Sequence, residues 1–218
     1  MLKQISSNTY NNRRSIPRYL YHLTSKKNYD SILKTGMLNA YHDTDTTTNL
    51  NGVFLFDLTN FLKRWCNIGF SFNSGNTPFS LAKALFLNII IKDPNIVLLK
   101  IPTKNLPTDM LRCRVQDINP TISENHANNG DPATNQKHYT RKRKAIEYIF
   151  QGNIPLEKTS KVGELNFGIK VTKPQDTTLF NKIDVLDFLH KLFKNQPEEK
   201  AIELAKKSSY QFVNLLNF

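Results

Sequence analysis

Glu147 has the most chemically loaded setting in the chain. It lies inside Ala145-Ile146-Glu147-Tyr148-Ile149-Phe150, one acid in an apolar run that reads as a strand. A carboxylate there is costly unless it is paired or opens onto a cleft, so Glu147 is a candidate for function or a paired structural acid. Directly upstream is the basic run Lys137-His138-Tyr139-Thr140-Arg141-Lys142-Arg143-Lys144. Tyr139, Arg141, Lys142, Arg143 and Lys144 set a π-face among cations, which suits a phosphate backbone carrying an unstacked base. A solvated basic loop or a localisation-like patch is the plainer reading of the same residues. His22, at the end of a short apolar run, reads by default as a satisfied structural histidine, and Trp65 as core. His42, His126 and His138 have no ligand spacing with Cys66 or Cys113, so no metal site is expected. Glu157 and Glu164 read as solvent-facing.

Composition bounds what can carry these groups. At 218 residues the chain holds one domain or slightly more. Fourteen Phe and eight Tyr supply bulky core material, which argues for a folded chain. Only 8 Gly are present, which excludes collagen-like, Gly/Ser-linker and glycine-cradle architectures. Lys and Arg number 30 against 18 acids, and the resulting charge of +12 attracts polyanions such as nucleic acid, acidic membrane or an acidic protein. Two cysteines make neither a disulfide framework nor a four-cysteine zinc site; one bridge is open to them, and two free thiols in a reducing compartment is the plainer reading. The N-terminus has no apolar h-region, and the longest apolar run, Ala84 to Ile91, is broken by Asn88. A cytoplasmic protein with no membrane partner is the expectation.

The positioning elements follow from spacing and caps. Residues up to about Ser15 read as a loose polar tail, and Tyr19 to His22 as a buried strand. A helix follows, with Ser25 as N-cap, Tyr29, Ile32 and Leu33 on one face, and Gly36 at the left-handed C′ position. Residues 40–51 read as a loop and Gly52 to Phe56 as a second strand. Asp57 caps a helix whose Leu58, Phe61, Leu62 and Trp65 recur at spacings of 3 and 4. Asn73 to Pro78 is turn-rich, Phe79 to Ile91 helical, and Ile96 to Ile101 the clearest strand. Ile118 to His138 is almost free of apolar residues and reads as a long loop of the functional or disordered kind. Ala145 to Phe150 and Leu165 to Val171 read as strands. Beyond Lys173 the period becomes helical, with stripes at Val185 to Phe193 and Ala201 to Leu216 broken at Asn195-Gln196-Pro197. The expected class is therefore α+β, with residues 1–172 as the core and 173–218 as an appended helical hairpin.

The order of these motifs resembles the ADP-ribosyltransferase superfamily over roughly residues 18–172. Tyr21-His22-Leu23-Thr24 followed by a capped helix is similar to its first strand and helix. There a strand-borne His and the Ser or Thr two residues later hold the adenine-side ribose and the nicotinamide amide of NAD. Gly52-Val53-Phe54-Leu55-Phe56-Asp57 looks like the second signature strand, with Phe54 where the poly(ADP-ribose) polymerase group has Tyr. Trp65 falls where that group places the Tyr that stacks on nicotinamide. Ile146-Glu147-Tyr148-Ile149 looks like the third signature, whose Glu is the catalytic acid. The trio is of the His-Tyr-Glu type. Asn28 after Thr24, Phe70-Ser71-Phe72-Asn73 before Pro78, and Arg143-Lys144-Ala145-Ile146-Glu147 with Ile154-Pro155 resemble one subgroup, the DarT-like toxins that ADP-ribosylate DNA bases. The catalytic Arg of that subgroup falls nearest to Arg64.

The resemblance implies a split β-sheet core and NAD as co-substrate, bound by His22, Thr24, Asn28, Phe54 and Trp65. Glu147, with Arg64, would carry the chemistry. Cleaving the nicotinamide–ribose bond passes through an oxocarbenium-like sugar, which a carboxylate beside the ribose stabilises. It further implies mono-ADP-ribosyl transfer to nucleic acid, single-stranded for preference, and an antitoxin-like neutralising partner. A protein side-chain acceptor is the alternative enzyme reading. RNA 2′-phosphotransferase is a further one, but its paired Arg signature is missing. A basic, non-catalytic nucleic-acid-binding module is the reading from another class.

Overall fold

A computed structural model of the chain describes residues 3–4, 16–41, 51–66, 69–72, 75–118, 143–168 and 183–215. The elements in chain order are β1 (Lys3–Gln4), β2 (Tyr19–Ser25), α1 (Lys26–Thr35), β3 (Met37–Leu38), β4 (Val53–Leu55) and α2 (Leu58–Asn60). α2 runs straight into a π-helical stretch, Phe61–Trp65. Then come β5 (Gly69–Phe72), β6 (Gly75–Ser80), α3 (Leu81–Ile90), β7 (Asn95–Pro102) and β8 (Leu111–Ile118). β9 (Arg143–Phe150), β10 (Ile154–Pro155), β11 (Ser160–Asn166), α4 (Val185–Leu192) and α5 (Glu199–Leu215) complete the series. The class is mixed α+β, built on several small, mostly antiparallel sheets.

One sheet has the order β11-β7-β2 and another β1-β8-β9-β4, where only β1 runs parallel to its neighbour. Among the described residues the two meet at one bridge. Tyr21 and Phe56 exchange both backbone hydrogen bonds, each 2.9 Å long. Two short pairs, β10-β3 and β5-β6, lie beside them.

β7 organises the interior. Its side chains alternate between two apolar clusters, Ile96 and Leu98 in one, Val97, Leu99 and Ile101 in the other, all fully buried. Each of its faces is covered by one of these clusters, so its near-continuous apolar run is what a doubly covered strand requires. α1 closes the second cluster with Tyr29 and Ile32. Its ends are as the sequence dictates. Ser25 Oγ accepts from the Asn28 N–H at 3.1 Å, and Gly36 takes φ +68° while its N–H returns to Ile32.

The C-terminal helices belong to the first cluster. Ile183, Val185, Phe188, Leu189, Leu192, Phe193 and Ile202 share it with Tyr21, Leu23, Phe56, Phe61 and Phe86. Asp184 caps α4 through the Asp187 N–H, and Asn195 turns the chain at φ +64°. A polar staple reinforces this packing. Glu198 accepts from the Tyr21 hydroxyl at 2.9 Å and pairs with the Lys100 ammonium, which also sits 4.2 Å from the Tyr19 ring centre.

Several expectations are corrected. The strand placed at Leu165 to Val171 is Ser160–Asn166 instead; it pairs antiparallel with β7, with a register shift between Lys161 and Gly163, and Gly168 at φ +68° turns the chain away. Residues 169–171 lie outside the described residues. Gly75–Ser80 is a strand paired with Gly69–Phe72, so the segment read as turn-rich supplies a hairpin and α3 starts at Leu81. Ile118, the expected start of a long loop, ends β8, a strand the sequence reading lacks. Lys3 and Gln4 pair with Arg112 and Cys113, so the polar tail is anchored at its start. The rest of the tail, the 42–50 loop and the loop from 119 to 138 fall outside the described residues. Both cysteines are free thiols.

Candidate functional site

A cleft of about 430 Å³ opens between β2, α1, β4 and the end of α3. His22, Thr24, Asn28 and Phe54 all line it. These are four of the five residues assigned to the dinucleotide. The volume lies within the range of small-ligand pockets. Its described lining holds one full cation, Lys92, and no carboxylate, so the wall suits an anionic or neutral polar ligand. Tyr41, 60% exposed, brings a second aromatic ring to the mouth, 6.5 Å from Phe54 and tilted against it.

Local backbone geometry builds the mouth. Tyr41 and Gly52 form an isolated bridge with bonds of 3.0 and 2.9 Å, which closes the intervening segment at its base. Gly52 is required by proximity. A Cβ there would stand 2.6 Å from both the Phe150 carbonyl oxygen and Ile149 Cγ2, closer than packed atoms come. Gly therefore lets β4 start flush against β9.

The His22 ring is fixed by one bond. Its Nδ1 lies 2.8 Å from the Phe54 carbonyl oxygen. A carbonyl only accepts, so Nδ1 carries the proton, and in the neutral ring Nε2 is an acceptor. Desolvation in the cleft wall holds the His22 pKa below the ordinary histidine value, outweighing the opposing pull of the Phe54 bond. The ring thus presents a lone pair suited to a hydroxyl donor. Thr24, buried at 5% exposure, stands two residues on along the same strand face.

Glu147 sits near the middle of β9, half-buried, with its Oε2 shielded from solvent. It does not line the cleft. Phe54 pairs with Ile149, so alternation puts Phe54, Ile149 and Glu147 on one face of the sheet. Strand spacings then place Glu147 roughly 8 Å, backbone to backbone, from the cleft-lining Phe54. On the other side, register sets Arg114 of β8 directly opposite Glu147. The missing β8 hid this arginine from sequence reasoning. Arg64 is exposed on the π-helical stretch and does not line the cleft.

Trp65 is also displaced from its expected post. It is buried at 6% exposure in the first cluster, stacked on Phe61 with centroids 5.7 Å apart. Its indole N–H donates to the Ile146 carbonyl at 3.2 Å. The aromatic rings at the cleft are instead Phe54 and Tyr41. Of the basic run, Arg143 and Lys144 open β9, opposite Ile118 and Asp117. Tyr139, Arg141 and Lys142 lie outside the described residues, as do His42, His126 and His138. Glu157 is exposed, and Glu164 pairs with Lys161 at 2.7 Å.

One group of metal-ligating side chains comes together among the described residues. His190, Glu199 and Glu203 bring donor atoms within 4.8 Å of one another between α4 and α5. The His190 Nε2 lies 3.5 Å from an oxygen of each carboxylate, so the three side chains tie the two helices together.

Comparison with known proteins supplies no relative: no family model, no curated protein and no solved structure matches the chain.

Proposed function

We propose that the chain is an NAD-dependent mono-ADP-ribosyltransferase of the His-Tyr-Glu type, with nucleic acid as acceptor. The observation that carries the reading is the cleft, where His22, Thr24, Asn28 and Phe54, assigned to NAD by motif alone, line one wall. The acceptor lone pair on His22 Nε2 suits a ribose hydroxyl. Lys92 suits the pyrophosphate. The bridge between β2 and β4, with β9 next in order, is compatible with a split sheet carrying the three signatures on adjacent strands.

In this reading the bond from ribose C1′ to the nicotinamide nitrogen breaks, and nicotinamide leaves with the bonding electron pair. The ribose acquires oxocarbenium character, which the Glu147 carboxylate stabilises through charge and through a hydrogen bond from a ribose hydroxyl. The acceptor nucleophile then bonds to C1′ and loses its proton to Glu147 or to water. For the arginine such a site requires, Arg114, whose backbone pairs with that of Glu147, is a second candidate beside Arg64. The basic run that enters β9 two residues before Ala145 would deliver the nucleic acid strand beside the acid. The proposal includes action in a cytoplasm, of the producing or a target cell, and a neutralising partner. No helix among the described residues is long and apolar enough to cross a membrane.

The test is nicotinamide release from NAD by wild type and Glu147→Gln, with and without single-stranded DNA or RNA. Stimulated release that the Gln variant loses by about 100-fold or more supports the proposal. Near-wild-type turnover in that variant refutes it. One observation favours a second reading, a nucleic-acid-binding module without catalysis: Glu147 is not in the cleft wall. Salt-dependent binding of nucleic acid with no NAD turnover would select that reading.

A further inference from the structure

β4 pairs with β9 only as far as Leu55, opposite Tyr148. Its next residue, Phe56, turns its N–H and C=O to Tyr21 on β2. β4 therefore leaves the edge of β9 at Ile146, the residue before Glu147. Ile146 is 7% exposed, and buried backbone groups left unpaired at such an edge are costly. Two side chains stand in for the departed strand. Asn60 Oδ1 accepts from the Ile146 N–H at 2.9 Å, and Trp65 Nε1 donates to the Ile146 carbonyl at 3.2 Å.

Both substitutes are themselves held. Asp57 caps the turn through the Thr59 and Asn60 N–H groups, at 3.2 and 3.0 Å, which fixes the backbone of Asn60. Trp65 is clamped by Phe61, whose ring lies 4.4 Å from that of Phe56. The π-helical stretch carries Trp65 from Asn60 back to the same peptide.

We infer that Asn60 and Trp65 are positioning residues, which replace a strand at Ile146 and so fix the direction in which Glu147 leaves β9. The inference rests on Glu147 acting as proposed above. Neither residue touches substrate; each acts through the Ile146 peptide. A misplaced carboxylate loses turnover far more than ground-state binding, so the expected signature is a fall in kcat with KM for NAD unchanged.

The experiment compares wild type, Glu147→Gln, Asn60→Ala, Asn60→Asp and Trp65→Phe in nicotinamide release, with hydrogen exchange at the Ile146 amide alongside. Asn60→Ala should lower kcat on the order of ten- to a hundredfold and speed exchange at Ile146. Asn60→Asp keeps an acceptor oxygen and should restore both. Trp65→Phe keeps an aromatic ring but removes the donor, and should lower kcat while leaving the amide protected by Asn60. A catalytically dead Glu147→Gln beside an Asn60→Ala variant with normal kcat overturns the positioning role alone. So does an Asn60→Asp variant as slow as Asn60→Ala. Normal turnover in Glu147→Gln, or none in wild type, overturns the proposed function and this inference with it.

Discussion

Replacing Glu198 with Ala should loosen the C-terminal helices from the sheet, and the size of the effect can be worked out from its contacts. Glu198 takes a hydrogen bond from Tyr21 and pairs with Lys100; the two charged side chains are 15% and 19% exposed. This is neither a surface pair nor a fully desolvated one. Removing the carboxylate costs a charge-assisted bond of about 1.5–3 kcal/mol and leaves a largely buried ammonium behind. The Tyr19 ring, 4.2 Å from Lys100 Nζ, retains part of that cation's stabilisation. A net loss of about 3 kcal/mol follows, which for a chain of this size lowers Tm by about 6–12 °C. Glu198→Gln keeps an acceptor for Tyr21 and should lose less than half as much. Desolvation pushes the Glu198 carboxyl up, but Lys100 and Tyr21 outweigh it and hold the group below the ordinary glutamate value. Its contribution is thus complete above the unfolded pKa of about 4.3 and is lost as pH falls through the lower folded value. The Ala penalty should shrink over that acidic window. Calorimetry of wild type and both variants, at neutral pH and at pH about 3, checks this. An Ala variant melting within 2 °C of wild type at neutral pH would mean that the staple does not hold the helices.

Three further outcomes are expected. His22 stays neutral in the fold while the unfolded chain protonates near pH 6.5, so stability should fall as pH drops from about 6.5 toward the depressed folded value. His22→Gln should flatten that slope in urea titrations, and an unchanged slope would place the ring outside the cleft wall. Replacing Arg141, Lys142 and Arg143 with Ser should weaken nucleic-acid modification and reduce its salt slope by up to about one unit per lost phosphate contact, with basal NAD turnover intact. Arg114→Ala should cost far more nicotinamide release than Arg64→Ala if Arg114 fills the arginine's role; the reverse order would assign that role to Arg64.

Parts of this molecule were legible because they are local. Ser25, Gly36 and Asp57 mark helix ends through bonds to residues two to four positions away, so the types at those positions suffice. β7 was legible because both its faces are apolar. β8 carries the alternation of a half-buried strand in Leu111-Arg112-Cys113-Arg114-Val115, but its pairing is not local: its long partner, β9, begins 25 residues after Ile118. Register between such distant segments is not written in either one. For that reason Arg114 could not be seen opposite Glu147, nor Tyr41 and Lys92 beside His22. Trp65 was misplaced for a related reason. Spacing put it on an apolar helical face, and motif order put it at nicotinamide, but the position of its indole N–H depends on a π-helical stretch that no spacing announced. The helical stripe of α4 was visible in the sequence, while the surface that receives it, Tyr21 and Phe86 among others, was not.

β7 also governs which changes of sequence this fold can absorb. Because its consecutive side chains feed opposite clusters, inserting or deleting one residue between 95 and 102 exchanges every downstream side chain between the two interiors. Such an event cannot be contained by one cluster repacking around it, since both receive the wrong volumes together. Length variation among descendants of this chain should therefore collect in the segments joining the strands and be purged from β7, whatever reaction the cleft serves.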